Sequence, residues 1–92
     1  MAVTIEIPTA LRSFCDGKKS VSVEAKNVGE AIKELAAQRP AIAKHLYNEA
    51  GELRNYINIF LGDTNIKSLE DQKTALNDGA TLILVPAIAG GL

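Results

Sequence analysis

The residues of this chain that can do chemistry are its last seven, Pro86-Ala87-Ile88-Ala89-Gly90-Gly91-Leu92. Glycine lacks a Cβ, so a Gly-Gly segment stays thin and flexible and can thread into a narrow active site on another protein. The reacting group in such a tail is a main-chain carboxylate, which becomes an acyl donor once activated. Here the Gly91 carboxylate is masked, because Leu92 follows it as a peptide. The plainer reading is a frayed end, since chain termini are commonly disordered and rich in small residues. The elements that precede the tail decide between the two.

The side chains offer less. Cys15 is the only cysteine and His45 the only histidine, about one helix apart, and no spacing pairs them as nucleophile and base. Cys15 is read as a structural or idle thiol. One histidine makes no zinc site, which needs three or four protein ligands. Lys18-Lys19 and Glu70-Asp71 read as solvated loop charges, and Glu49 and Glu52 have no spacing that makes an acid/base pair. Arg12, Lys33 and Arg54 could fringe a docking surface. No catalytic residue, metal or bound cofactor is expected.

Composition narrows the class. Ninety-two residues make one domain, long enough to bury roughly 60–70% of its unfolded surface without staples. With 47% hydrophobic but only 4% aromatic residues, the core should be aliphatic. A formal charge of −1, with no basic stripe, argues against a nucleic-acid partner. The longest apolar run, Leu82 to Ala89, is broken by Pro86 and falls well short of the ~20 residues that span a bilayer. A single cysteine excludes an internal disulfide, and Met1–Glu6 has no basic stretch leading into an apolar one. A cytoplasmic protein without a membrane partner is expected.

Val3, Ile5 and Ile7 alternate with polar residues up to Pro8, and Ser20–Glu24 alternates again. These read as two strands able to pair antiparallel across a long loop containing Asp16-Gly17. Asn27, with Glu30 three residues on, reads as a helix N-cap and capping box. Val28, Ile32, Leu35 and Ala36 give the helix its apolar stripe, and Pro40 ends it near Gln38 or Arg39. Ala41–Tyr47 suggests a further short turn of helix. Tyr56–Leu61 is the clearest strand, followed by the Gly62-Asp63 reversal, a short segment around Ile66, the Asn77-Asp78-Gly79 turn and a last strand over Thr81–Val85. Strands arranged around one main helix predict an α+β domain with a mixed sheet over 1–86, followed by a tail over 87–92.

Alternation also assigns faces. In the central strand, Ile57, Ile59 and Leu61 point to the core, leaving Tyr56, Asn58 and Phe60 outward. If Leu82 and Leu84 face the helix, Ile83 and Val85 join Phe60 in an apolar patch beside the tail. Such a patch marks a partner-docking site unless a loop or another copy covers it.

The run Leu76-Asn77-Asp78-Gly79-Ala80-Thr81-Leu82-Ile83-Leu84-Val85-Pro86-Ala87-Ile88-Ala89-Gly90-Gly91 resembles the end of the ThiS/MoaD-type sulfur-carrier family, with its D-G turn, aliphatic strand, proline, small residues and Gly-Gly. Ile57–Asp63 is similar to the family's central strand and turn. Ile7–Arg12 and the wording of the tail resemble the CysO branch, which serves cysteine synthesis. Ala80 departs from the acidic residue usual after the D-G turn, and Leu92 departs from the usual Gly-Gly end.

The resemblance implies a ubiquitin-like β-grasp fold. It also implies a protein co-substrate rather than an enzyme. A JAMM-type metalloprotease would remove Leu92, making Gly91–Leu92 the processing site. An E1-like enzyme would spend ATP to adenylate Gly91, presented on the tail Ala89-Gly90-Gly91. A sulfur donor would then leave a thiocarboxylate for an acceptor enzyme such as a cysteine synthase. Molybdopterin, thiazole or a secondary metabolite are alternative destinations for the sulfur. A ubiquitin-like modifier forming isopeptide bonds, and a passive interaction module, are alternative functions.

Overall fold

The computed structural model describes residues 1–54 and 57–86. Its strands and helices are β1 (Ala2–Glu6), β2 (Ser20–Glu24), α1 (Val28–Gln38), α2 (Pro40–Leu46), β3 (Ile57–Leu61), β4 (Thr64–Asn65) and β5 (Thr81–Pro86). Three 3-10 segments, Thr9–Cys15, Ile66–Ser68 and Asp71–Lys73, fill the connections. The five strands form one sheet in the order β2-β1-β5-β3-β4. β1 pairs antiparallel with β2, as its spacing suggested, and parallel with β5, while β3 is antiparallel to both β5 and β4. This is the mixed sheet of a β-grasp fold.

Alternation in each strand sends one set of side chains into a single aliphatic core. Val3 and Ile5, Val21 and Val23, Ile57 and Ile59, and Leu82 and Leu84 are all buried. They meet Val28, Ala31, Ile32 and Leu35 of α1, and Ile42 and Leu46 of α2 close the far end. Ala31 takes the place expected of Ala36, which is only half-buried. Positions 28, 31, 32 and 35 form the tighter i, i+3, i+4, i+7 stripe.

The helix boundaries follow from caps. Asn27 Oδ1 accepts from the Glu30 N–H at 2.8 Å, satisfying an orphan donor of the first turn. Glu30 Oε1 reaches back to the Lys26 N–H at 3.0 Å, one residue before the N-cap, so the box closes with an offset. Pro40 ends α1 and also begins α2, where its fixed φ and missing N–H suit a first helical position. The short turn expected at Ala41–Tyr47 is thus a full helix starting one residue earlier.

One turn sets where the last strand begins. Gly79 adopts φ +87°, which a side chain would strain. Its N–H donates to the Ala2 carbonyl at 2.8 Å, and the Ala2 N–H donates to Asp78 Oδ1 at 2.8 Å. The Asp-Gly turn therefore clips the start of β1 and fixes the parallel register Thr4↔Thr81, Ile5↔Leu82, Glu6↔Ile83.

Candidate functional site

β5 occupies the centre of the sheet, and its two faces have opposite fates. Leu82 and Leu84 are 0% and 1% exposed, whereas Ile83 is half-buried and Val85 is 40% exposed. Ile83 sits in a cross-sheet row between Glu6 of β1 and Phe60 of β3, and Val85 pairs with Asn58. Phe60 is half-buried. The structure thus brings Phe60, Ile83 and Val85 together on the face away from the helices. They lie beside Pro86, the last described residue. Met1, Leu69 and Val85 are the large exposed apolar residues among those described, and Val85 is the one on this face. Ala89, Gly90, Gly91 and Leu92, and Tyr56 of the expected outward row, lie outside the described residues.

A shallow cleft of about 470 Å³ adjoins the apolar row at the carboxyl ends of β1 and β5. Glu6, Pro8, Arg12, Lys19 and Ile83 contribute to its walls. Arg12 comes from the 3-10 segment, and its Nε donates to the Ile7 carbonyl at 3.1 Å, which fixes the plane of the guanidinium. Among the described residues the ion pairs are Met1–Glu24 and Arg39–Asp16, so neither Arg12 nor Lys19 is paired with a carboxylate. The cleft depends on the parallel pairing of β1 with β5, which no local pattern announces. Of its wall residues, the sequence points to Arg12 as a fringe residue and to Ile83 as a docking residue.

The other basic residues are elsewhere. Lys33 lies on the exposed side of α1, across the core from the apolar row. Arg54 Nε donates to the Lys44 carbonyl at 3.1 Å on the segment entering β3.

Cys15 is fully buried at the end of its 3-10 segment. Burial pushes its thiol above the ordinary 9.0, against a smaller lowering by Arg39, and Asp16 adds to the rise. A protonated, buried thiol is a poor nucleophile. Its neighbour Phe14, rather than Cys15, meets His45, with ring centroids 4.1 Å apart in a stacked pair. No group of three or more His, Cys, Asp or Glu able to hold a metal occurs among the described residues. No helix of the described residues is long and apolar enough to cross a membrane.

Comparison with known proteins gives this arrangement relatives. The model of the ThiS family matches residues 5–91. The sulfur carrier protein CysO of Mycobacterium tuberculosis (strain H37Rv) is 36% identical over 93 residues, covering 99% of this chain and all of the relative. A chain in the crystal structure of the Amycolatopsis orientalis BexX/CysO complex superposes with a TM-score of 0.85 at 34% identity, covering 97% of this chain and 99% of that one. Small archaeal modifier protein 3 of Haloferax volcanii is 31% identical over 64 residues, covering 70% of this chain and 68% of the relative.

Proposed function

Because this chain belongs to the ThiS family, we propose that it is a sulfur carrier that works through the carboxylate of Gly91. The observation that carries this reading is the full-length likeness to a sulfur carrier protein, combined with a family match that runs through Gly91. In this chain Leu92 must first be cleaved from Gly91, a peptide hydrolysis suited to a JAMM-type metalloprotease. A free carboxylate is a poor acyl donor because oxide is a poor leaving group. An E1-like enzyme overcomes this by attacking the α-phosphate of ATP with the Gly91 carboxylate, forming an acyl adenylate and releasing pyrophosphate. Sulfide sulfur from a donor then displaces AMP and leaves the Gly91 thiocarboxylate. That sulfur is anionic at neutral pH and nucleophilic. Passing the acyl group through a covalent intermediate divides one difficult step into easier ones.

The chain contributes no acid, base or metal to these steps. Its sheet carries the tail, and the face with Phe60, Ile83 and Val85 docks the enzyme that activates it. The acceptor best supported by the likeness to CysO is a cysteine-forming synthase, in the cytoplasm. The intact mass of the protein purified from its native host tests the reading. Loss of Leu92 with an oxygen-to-sulfur shift is expected. A chain uniformly ending at Leu92, even under sulfur starvation, would refute it.

The likeness to a small archaeal modifier protein supports a second reading, in which the processed Gly91 forms isopeptide bonds with lysines. Lysine-linked conjugates in cells, without thiocarboxylate, would favour it.

A further inference from the structure

We propose that the cleft at the end of β5 receives one carboxylate side chain of the adenylating enzyme, held by Arg12 and Lys19, and that this contact strengthens docking of the carrier on that enzyme. The inference rests on the sulfur-carrier reading for the existence of that enzyme; the site itself is built from this chain's residues.

Arg12 is prepared for such a contact. Its Nε is already committed to the Ile7 carbonyl at 3.1 Å, so the guanidinium is oriented before any partner arrives. The terminal nitrogens have no carboxylate partner among the described residues. They form the planar fork that matches a carboxylate in two parallel hydrogen bonds. Arg12 is also half-buried, with Pro8 and Ile83 in the walls of the same cleft. A pair formed there is shielded from water more than one on open surface. Lys19 adds a second, exposed cation from the turn before β2.

The cleft selects one charge rather than a tract. Glu6 lines it too, ion-paired with neither cation, and would repel a second acidic group. It is also continuous with the apolar row through Ile83, which belongs to both. A partner lying across Phe60, Ile83 and Val85 therefore brings one acidic side chain to Arg12.

The test uses the chain ending at Gly91, the purified E1-like adenylating enzyme encoded in the same genome, and ATP–pyrophosphate exchange. Arg12→Ala should raise KM for the carrier about 10–100-fold, as expected for a lost charge-assisted pair, with kcat within about twofold. Arg12→Lys should recover part of the loss, because it restores charge without the fork. Lys19→Glu, on an exposed side chain without structural hydrogen bonds, should raise KM several-fold in a domain that folds normally. Unchanged KM in both Arg12→Ala and Lys19→Glu, with the parent chain active, would overturn the inference and leave the carrier reading intact. A lower KM in Arg12→Ala would also overturn it. Absence of exchange with the parent chain would remove the carrier reading, and this inference with it.

Discussion

Leu84 and Val85 are neighbours on one strand with opposite environments, and truncating each to alanine tests the face on which the functional reading depends. Leu84 is 1% exposed, so Leu84→Ala removes buried methyl groups and leaves a cavity, at a cost of about 2.7–5 kcal/mol. Against a total stability of roughly 5–15 kcal/mol for a small domain, that loss is severe. It should lower the melting temperature by about 10–40 °C. Val85→Ala removes two methyl groups worth ~0.8 kcal/mol each when fully buried. With Val85 40% exposed, about three-fifths of that is at stake, or ~1 kcal/mol. Replacing a β-branched residue in a strand adds a few tenths more. Urea unfolding of both variants measures the two costs, and the Leu84 loss should be at least twice the Val85 loss. The order should reverse in docking: Val85→Ala should raise the carrier's KM in the adenylation assay, and Leu84→Ala should act only to the extent that it unfolds the domain. Equal unfolding costs would refute the face assignment. A Val85→Ala chain docking as well as its parent would refute the role given to that face.

Phe60→Arg should weaken adenylating-enzyme binding while preserving the melting transition, and an unchanged Kd by calorimetry would count against the apolar row. Asn27→Ala should cost about 1 kcal/mol in urea unfolding through the lost cap to Glu30; no loss would mean that α1 is held by packing alone. Burial raises both Cys15 and Tyr47 above their ordinary 9.0 and 10.0, so the folded state favours the protonated forms. Stability should therefore be level below those ordinary values and fall as pH rises through them toward the folded-state pKa values; Cys15→Ala should remove the part of the fall that begins near 9.0, and an identical alkaline profile would refute that assignment. Gly91→Ala should lower both cleavage of Leu92 and adenylation, because a Cβ obstructs a narrow channel, and equal thiocarboxylate yield by mass spectrometry would refute this.

Local patterns in the sequence reported what local physics controls. Period-2 alternation placed Val3 and Ile5, Val21 and Val23, and Leu82 and Leu84 on the buried face because each strand has one wet side. Asn27 announced the start of α1 because its side chain bonds the first turn. The 3-10 run Thr9–Cys15 was not legible. Its apolar positions Leu11, Phe14 and Cys15 cover a single turn, too short a run to set a period, and Asp16 closes it with φ +56°, a conformation that the Asp16-Gly17 pair signals only as a turn. The offset of the capping box to Lys26 was invisible for a similar reason: a glutamate side chain can reach either N–H, and the approach of Ala75 to Asn27 and of Leu76 to Lys26 depends on distant sequence. At the site, the shared face of Phe60, Ile83 and Val85 followed from alternation, whereas the cleft beside it required the pairing of two strands more than seventy residues apart.

The position of β5 has a mechanical consequence. The strand that leads into the tail is hydrogen-bonded on both sides, parallel to β1 and antiparallel to β3. A partner that grips the carboxyl end and pulls loads these two ladders lengthwise, in shear, so that many bonds must yield together. An edge strand peeled sideways would instead give way one bond at a time. A strand held this way resists a pull on the carboxyl end, and single-molecule extension from that end should show one high-force rupture of the whole sheet.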